Sequence, residues 1–187
     1  MLLYKQITSL NSADLKKTMS ILLKEDTPKG DPTTQAFISK NKKGKYVFKS
    51  REKMIFCGGP IIQHTFSSNV KVNLLIKEGQ TIAAKTNIAI IKGNLREILT
   101  KERLILNMVQ RLSGIASNTK TYVSKLNNPQ IKILDTRKTT PGLRVLEKYA
   151  VNKGGGYNHR LNLSSGIMIK DNHINNNQDI DKKLKTL

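Results

Sequence analysis

Residues 131–174 read IKILDTRKTTPGLRVLEKYAVNKGGGYNHRLNLSSGIMIKDNHI, and the alternation within them sets the fold class. Ile131, Ile133 and Leu134 make a short apolar run, which predicts a strand. The polar turn from Asp135 to Gly142 follows, then a predicted helix from Leu143 to Lys153 with Leu143, Leu146, Tyr149 and Ala150 on one face. Gly154-Gly155-Gly156 ends that helix, since glycine adopts the backbone of a C-terminal cap at no steric cost. Ile167, Met168 and Ile169 predict a second strand, with Lys170-Asp171-Asn172-His173 directly after it. Strand, helix and strand in this order are the repeat of a parallel α/β architecture. Sites in such folds lie beyond the C-terminal ends of the strands. Arg137 and Lys138 follow the first predicted strand and Lys170 the second, with His159 and Arg160 in the loop between. These five cations are expected to converge on one cleft that holds an anion, because clustered cations repel one another when nothing fills the space between them.

Upstream, a long helix is predicted from about Asn94 to Leu126. Ile98, Leu99, Ile105, Leu106, Val109 and Leu112 leave little polar face in its middle, so it should be largely buried, against a second subunit if not within the chain. Arg103 and Arg111 sit inside this apolar stretch, and a buried arginine needs a carboxylate partner: Glu97, Glu102 or one not visible from spacing. Residues 33–92 read as short strands, with Tyr46-Val47-Phe48, Met54-Ile55-Phe56, the alternating Val70, Val72 and Leu74, and the tetrad Ile88–Ile91. Thr27 to Pro32 and Gly58-Gly59-Pro60 read as turns. A first helix begins after a cap at Asn11 or Ser12, places Leu15, Met19, Leu22 and Leu23 on one side, and fades at Glu25-Asp26. A last helix is predicted near Gln178. The expected organisation is an α+β, sandwich-like N-terminal domain over residues 1–100. The long helix and two βα units of an incomplete α/β (TIM-like) barrel would then occupy 101–187.

The 187 residues carry 33 Lys and Arg against 13 Asp and Glu, a formal net charge of +20. Twenty-six of the 33 are Lys, alongside 17 Asn and 20 Ile, all residues with AT-rich codons, so part of the charge reads as codon drift on a solvated surface. A nucleic-acid binder of the single-strand type needs aromatics interleaved with cations, and aromatics are only 5% here with no Trp. No run of ~18 uncharged apolar residues exists, so no membrane-spanning helix is expected, and the N-terminus lacks a signal-peptide pattern. A single cysteine, Cys57, excludes an internal disulfide framework and a multi-cysteine zinc site. A cytoplasmic protein is the expectation.

Several ordered strings together resemble the quinolinate phosphoribosyltransferase family. They are DTRKTTPGLR at Asp135–Arg144, EKYAV at Glu147–Val151, GGGYNHR at Gly154–Arg160 and IKDNHI at Ile169–Ile174. Upstream, Glu25-Asp26, Gly30-Asp31 and Thr33-Thr34, then Glu102-Arg103, Leu106-Asn107 and Arg111–Ala116, match in the same order, so the likeness runs from about Leu22 to Ile174. The resemblance implies a pentosyltransferase of NAD biosynthesis. It joins quinolinate to phosphoribosyl pyrophosphate and yields nicotinate mononucleotide, pyrophosphate and carbon dioxide, with Mg2+. Arg137, His159, Arg160 and Lys170 match residues that bind the quinolinate carboxylates, Lys138 a lysine facing phosphoribosyl pyrophosphate, and Thr136 belongs to the same loop. Lys138 and Lys170 would stabilise developing charge. Arg103 matches an arginine that enters the site from the partner of a homodimer. Asn162 and Ser165 stand where the family has Gly and Asp. Two βα units do not close a barrel, so a C-terminally truncated chain is expected, with Mg2+ ligands not identifiable. Two alternatives stay open: a catalytically impaired remnant or split-gene half that binds anions or a partner chain, and a molybdenum-transport-associated relative, against which IKDNHI argues.

Overall fold

The computed structural model describes residues 4–176 and residue 185. The helix expected near Gln178 lies outside the described residues.

Helix α1 (Ser12–Asp26) starts where a short polar side chain is available to cap it. Asn11 Oδ1 accepts from the amides of Ala13 at 2.9 Å and Asp14 at 3.1 Å, and Leu15 and Met19 then face the core. Two further helices occupy places read as strand or turn. Helix α2 (Pro32–Phe37) begins on Pro32, with Asp31 accepting from the Thr34 amide at 2.9 Å. Proline breaks a helix interior but suits its first turn, where its missing N–H has no intrahelical partner anyway. Helix α3 (Gly59–Thr65) uses Pro60 in the same way and follows Gly58, whose φ of 126° favours glycine.

Between and after these helices lie β1 (Lys43–Lys49), β2 (Met54–Ile55), β3 (Val70–Leu74), β4 (Thr81–Ile82) and β5 (Asn87–Asn94). Strands β1, β5 and β3 form an antiparallel sheet in that order, and β2 pairs with β4. Phe48, Val70, Ile88 and Ile91 turn one sheet face to the core, while Lys45, Lys71 and Lys92 turn outward.

Helix α4 (Leu95–Leu126) is capped by Asn94, which accepts from the Glu97 amide at 3.0 Å, and ends at Asn127 in the left-handed region, φ 45°. Within the single chain this helix is buried on one face only. Ile98, Ile105, Met108, Val109, Leu112, Ser113 and Ala116 are buried on one face, whereas Arg103, Asn107, Gln110 and Arg111 are exposed on the other. The flanking apolar residues Leu104, Leu106 and Ile115 are half-buried shoulders of that stripe. The buried stripe joins α1, α3 and both sheets into one apolar core that also takes in Leu146, Tyr149 and Ala150 of helix α5 (Arg144–Lys153).

The chain returns from α5 through Gly154-Gly155-Gly156 and lies close against α4. A Cβ on Gly154 would stand 2.4 Å from the Ala116 carbonyl oxygen, so the first glycine of the triplet is there for contact between backbones. Neither apolar run after α4 forms a regular strand among the described residues; Ile131–Leu134 contributes a single bridge residue. Ile167–Ile169 joins no ladder among the described residues; instead Leu134 forms a parallel bridge with Tyr157. The Tyr157 amide donates to Ile133 O at 2.8 Å, and the Asp135 amide to Tyr157 O at 2.9 Å. The reason lies in the polar residues after Tyr157: Asn158 and His159 are tied to Asp135 on the first segment, which an apolar-run criterion does not register. A 3-10 turn (Leu163–Ser165) and helix α6 (Asp171–Asn175) complete the described chain. The fold is an α+β, sandwich-like N-terminal part followed by an incomplete α/β barrel.

Candidate functional site

The parallel bridge between Leu134 and Tyr157 brings the residues after each of them to the same end of the paired segments: Thr136, Arg137 and Lys138 on one, His159 and Arg160 on the other. Beneath them lies a polar network centred on Asp135. Its carboxylate accepts from Lys148 Nζ, from Asn158 Nδ2 at 2.8 Å and from the His159 amide at 2.8 Å. The Lys148 side chain is fully buried and also donates to His159 O at 3.1 Å. Asn158, equally buried, donates to Lys148 O at 2.8 Å. Every strong polar group here has a partner, which is the condition for keeping such a network out of water.

A second pair stands beside it. Arg111 reaches from α4 to Glu147 on α5, with Nε 2.9 Å from Oε1, and also donates to the Thr140 hydroxyl. The Thr140 amide donates to the other Glu147 oxygen at 3.2 Å. Burial pushes the Glu147 carboxyl upward, but the hydrogen bonds from Arg111 and Thr140 outweigh it and hold the group below its ordinary value. Arg111 is thus paired with Glu147 although it is exposed rather than buried.

Among the described residues the salt bridges are Lys101–Glu97, Arg111–Glu147 and Lys148–Asp135. The two carboxylates under the strand ends are therefore taken by structural cations. Arg137, Lys138 and Arg160 have no acidic partner among the described residues. Arg160 is nearly buried and donates to Gly166 O at 2.9 Å, which ties the connector to the strand end. Arg137 is half-buried, and its Nε is shielded from water with no hydrogen-bond partner. Lys138 and Thr136 are exposed; Thr136 Oγ1 accepts from the Lys138 amide at 3.0 Å, which shapes the loop. Lys170 is exposed at the start of α6, and its amide donates to His173 Nδ1 at 3.0 Å. No described contact joins Lys170 to the other four cations. Arg103 is on the exposed face of α4, with no ion pair among the described residues.

The N-terminal segment also belongs to this region, and sequence reading missed it. Gln6 clasps Asn158 reciprocally: its Nε2 donates to Asn158 O at 3.1 Å, and its Oε1 accepts the Asn158 amide at 2.7 Å. The Ile7 amide adds a bond to Asn158 Oδ1 at 2.7 Å, and the Tyr4 ring lies over the His159 ring with centroids 4.4 Å apart. Partners 152 residues apart leave no local signal. Removing the clasp with Gln6→Ala should lower stability by about 1–2 kcal/mol, because it leaves two backbone groups of Asn158 without their partners. It should also free the His159 ring. Urea denaturation together with the histidine ring NMR signals checks both; an unchanged His159 signal would count against the clasp as a positioning device.

Comparison with known proteins identifies the family to which this fold belongs. The N-terminal domain model of quinolinate phosphoribosyl transferase matches residues 31–113, and the C-terminal domain model matches residues 115–187. The chain belongs to this family. It is 47% identical over 169 residues to the Bacillus subtilis protein named "Probable nicotinate-nucleotide pyrophosphorylase (carboxylating)", covering 88% of this chain and 58% of that one. A Synechocystis protein of the same name is 42% identical over 168 residues, covering 88% and 57%. Among solved structures, NadC from Streptococcus pyogenes superposes with a TM-score of 0.89 at 38% identity, covering 96% of this chain and 65% of that one. The nicotinate-nucleotide pyrophosphorylase from Francisella tularensis gives 0.87 at 36%, covering 97% and 65%. The chain thus spans well under two thirds of the curated relatives' length.

No helix among the described residues is long and apolar enough to cross a membrane.

Proposed function

We propose that this chain carries the quinolinate-binding part of a quinolinate phosphoribosyltransferase site. The observation that carries the reading is the pairing pattern. Asp135 and Glu147 are consumed by Lys148 and Arg111, which leaves Arg137, Lys138 and Arg160 without carboxylates and a shielded Arg137 Nε without an acceptor. A dicarboxylate would supply the missing acceptors, and guanidinium groups suit carboxylates through paired hydrogen bonds. Family membership supports the choice of quinolinate and phosphoribosyl pyrophosphate as the two substrates.

In this reading Arg137, His159, Arg160 and Lys170 hold the two carboxylates, and Thr136 shapes the loop. Lys138 offsets the charge of phosphoribosyl pyrophosphate. Held in this way, the ring nitrogen is aligned to attack the anomeric carbon of the ribose. The nitrogen–carbon bond forms as the carbon–oxygen bond to pyrophosphate breaks, and the oxygen leaves with the electron pair. The ring is then a pyridinium. It accepts the electrons released when one carboxylate leaves as carbon dioxide, and the vacated carbon takes a proton. Fixed cations stabilise the developing negative charge on the leaving group. In this reading Arg103 serves the partner of a homodimer, and its exposure on the open face of α4 supports that role. The described residues do not fit a magnesium site. No group of three or more His, Cys, Asp or Glu side chains comes together among them, and Asp135 is fully engaged. No step is therefore routed through the metal.

Purified chain, quinolinate, phosphoribosyl pyrophosphate and magnesium, followed by chromatography for nicotinate mononucleotide, tests the reading. The expected result is slow turnover that a separately expressed C-terminal barrel segment from a full-length relative raises by orders of magnitude. No product under either condition would refute the transferase reading.

A further inference from the structure

The outward face of the β1-β5-β3 sheet carries a feature that the transferase reading does not use. The strand register pairs Lys45 with Lys92 and Lys92 with Lys71, so three lysines lie side by side across three adjacent strands. Lys43 stands two residues from Lys45 on the same face, because side chains alternate along a strand. Like charges directly opposite one another destabilise a sheet. None of the four lysines forms a salt bridge among the described residues.

The four lysines line a cleft of about 550 Å³, and no acidic residue lines it. Ser68 and Asn69 add polar groups at one end. Gly44 and Gly93 also line it, and a Cβ on Gly93 would stand 2.3 Å from the Asn69 carbonyl oxygen, so the backbones of β5 and of the segment entering β3 are in close contact there. The volume falls within the usual range for small-ligand sites. The cleft has no aromatic lining on which a base could stack. Three lysines on neighbouring strands, whose backbones stand about 4.8 Å apart, can gather their flexible ammonium groups along a short run of phosphoryl groups, which carries more negative charge than a single carboxylate.

We propose that this face binds a small linear oligophosphate, with Lys45, Lys92 and Lys71 as its principal contacts. The site lies on the N-terminal sheet and is built from residues separate from those of the strand-end cluster.

The test is calorimetric titration of the chain with inorganic tripolyphosphate at low and at moderate salt. It compares the wild type with the triple variant Lys45→Gln, Lys71→Gln, Lys92→Gln. A control triple variant removes the same charge from the exposed side of α1: Lys16→Gln, Lys17→Gln, Lys24→Gln. The sheet variant should weaken binding about tenfold or more, the control less than twofold, and salt should weaken the wild type. ATP and tripolyphosphate should bind alike, since both present three phosphoryl groups in line; ATP binding far more tightly would require a base contact and overturn the assignment to phosphate alone. Equal losses in the two triple variants would show a general charge effect and overturn the site. A single-stranded oligonucleotide that binds much more tightly than tripolyphosphate, through the same lysines, would overturn the choice of ligand. Circular dichroism confirms that both variants fold, and quinolinate titration of the sheet variant separates this site from the strand-end cluster.

Discussion

Replacing Asp135 with alanine should destabilise the chain by about 3–5 kcal/mol, the range for removing one partner of a buried ion pair. Lys148 is fully enclosed and would keep a charge with only the His159 carbonyl to face it. The His159 amide and Asn158 Nδ2 would lose their acceptor at the same time. For a chain of this size the loss corresponds to a fall in Tm of roughly 10 °C. The double variant Asp135→Leu, Lys148→Met should recover most of it, because a buried pair replaced by apolar residues of similar volume is often neutral or better. Thermal unfolding of both proteins decides the matter. If the single variant melts with the wild type, the pair does not hold the strand ends together.

The second large effect concerns Gly154. Its φ is ordinary, −79°, so conformational freedom is not why glycine stands here. Contact is the reason. The Cβ of an alanine would meet the Ala116 carbonyl oxygen at 2.4 Å and Thr119 Cβ at 2.7 Å, both on the long α4 helix. Neither helix can retreat without opening the core that α4 and α5 share through Leu112, Ala116, Leu146 and Ala150. Gly154→Ala should therefore cost about 3 kcal/mol, the upper range for overpacking. By contrast, Gly142→Ala meets nothing within 4 Å; its cost comes only from its φ of +80° and should stay near 1 kcal/mol. Denaturant midpoints of the two variants give the comparison, and equal losses would contradict the packing argument.

How far the fold could be read in advance follows from the same physics. Helices α1, α4 and α5 were legible because each combines apolar spacing with an end signal such as Asn11, Asn94 or the glycine triplet. Helices α2 and α3 were hidden because Pro32 and Pro60 break a helix from inside and start one from its first turn, and composition does not separate the two cases. The bridge at Tyr157 was missed for a related reason: its neighbours are polar and pair through Asp135, while the more apolar Ile167–Ile169 makes no ladder among the described residues. At the candidate site the residue types were readable, since arginine and lysine after predicted strand ends point to an anion. The carboxylates that sort structural cations from unpaired ones were not. Lys148 is not among the apolar residues of its helix and is nonetheless fully buried, and Arg111 found its partner 36 residues away. Tyr4 and Gln6 could be placed only by the three-dimensional path of the chain.

In the proposed reading, unpaired cations after Leu134 and Tyr157 bind a pyridine dicarboxylate. Calorimetric titration with quinolinate, comparing the wild type with Arg137→Ala, tests it most directly. Arg137 offers a shielded Nε with no partner and makes no salt bridge, so its removal should leave the fold intact. The expected result is measurable quinolinate binding by the wild type and a loss of at least tenfold in the variant, since a charge-assisted hydrogen bond contributes roughly 1.5–3 kcal/mol. Equal affinity in the two proteins, or no binding by either, would contradict the account.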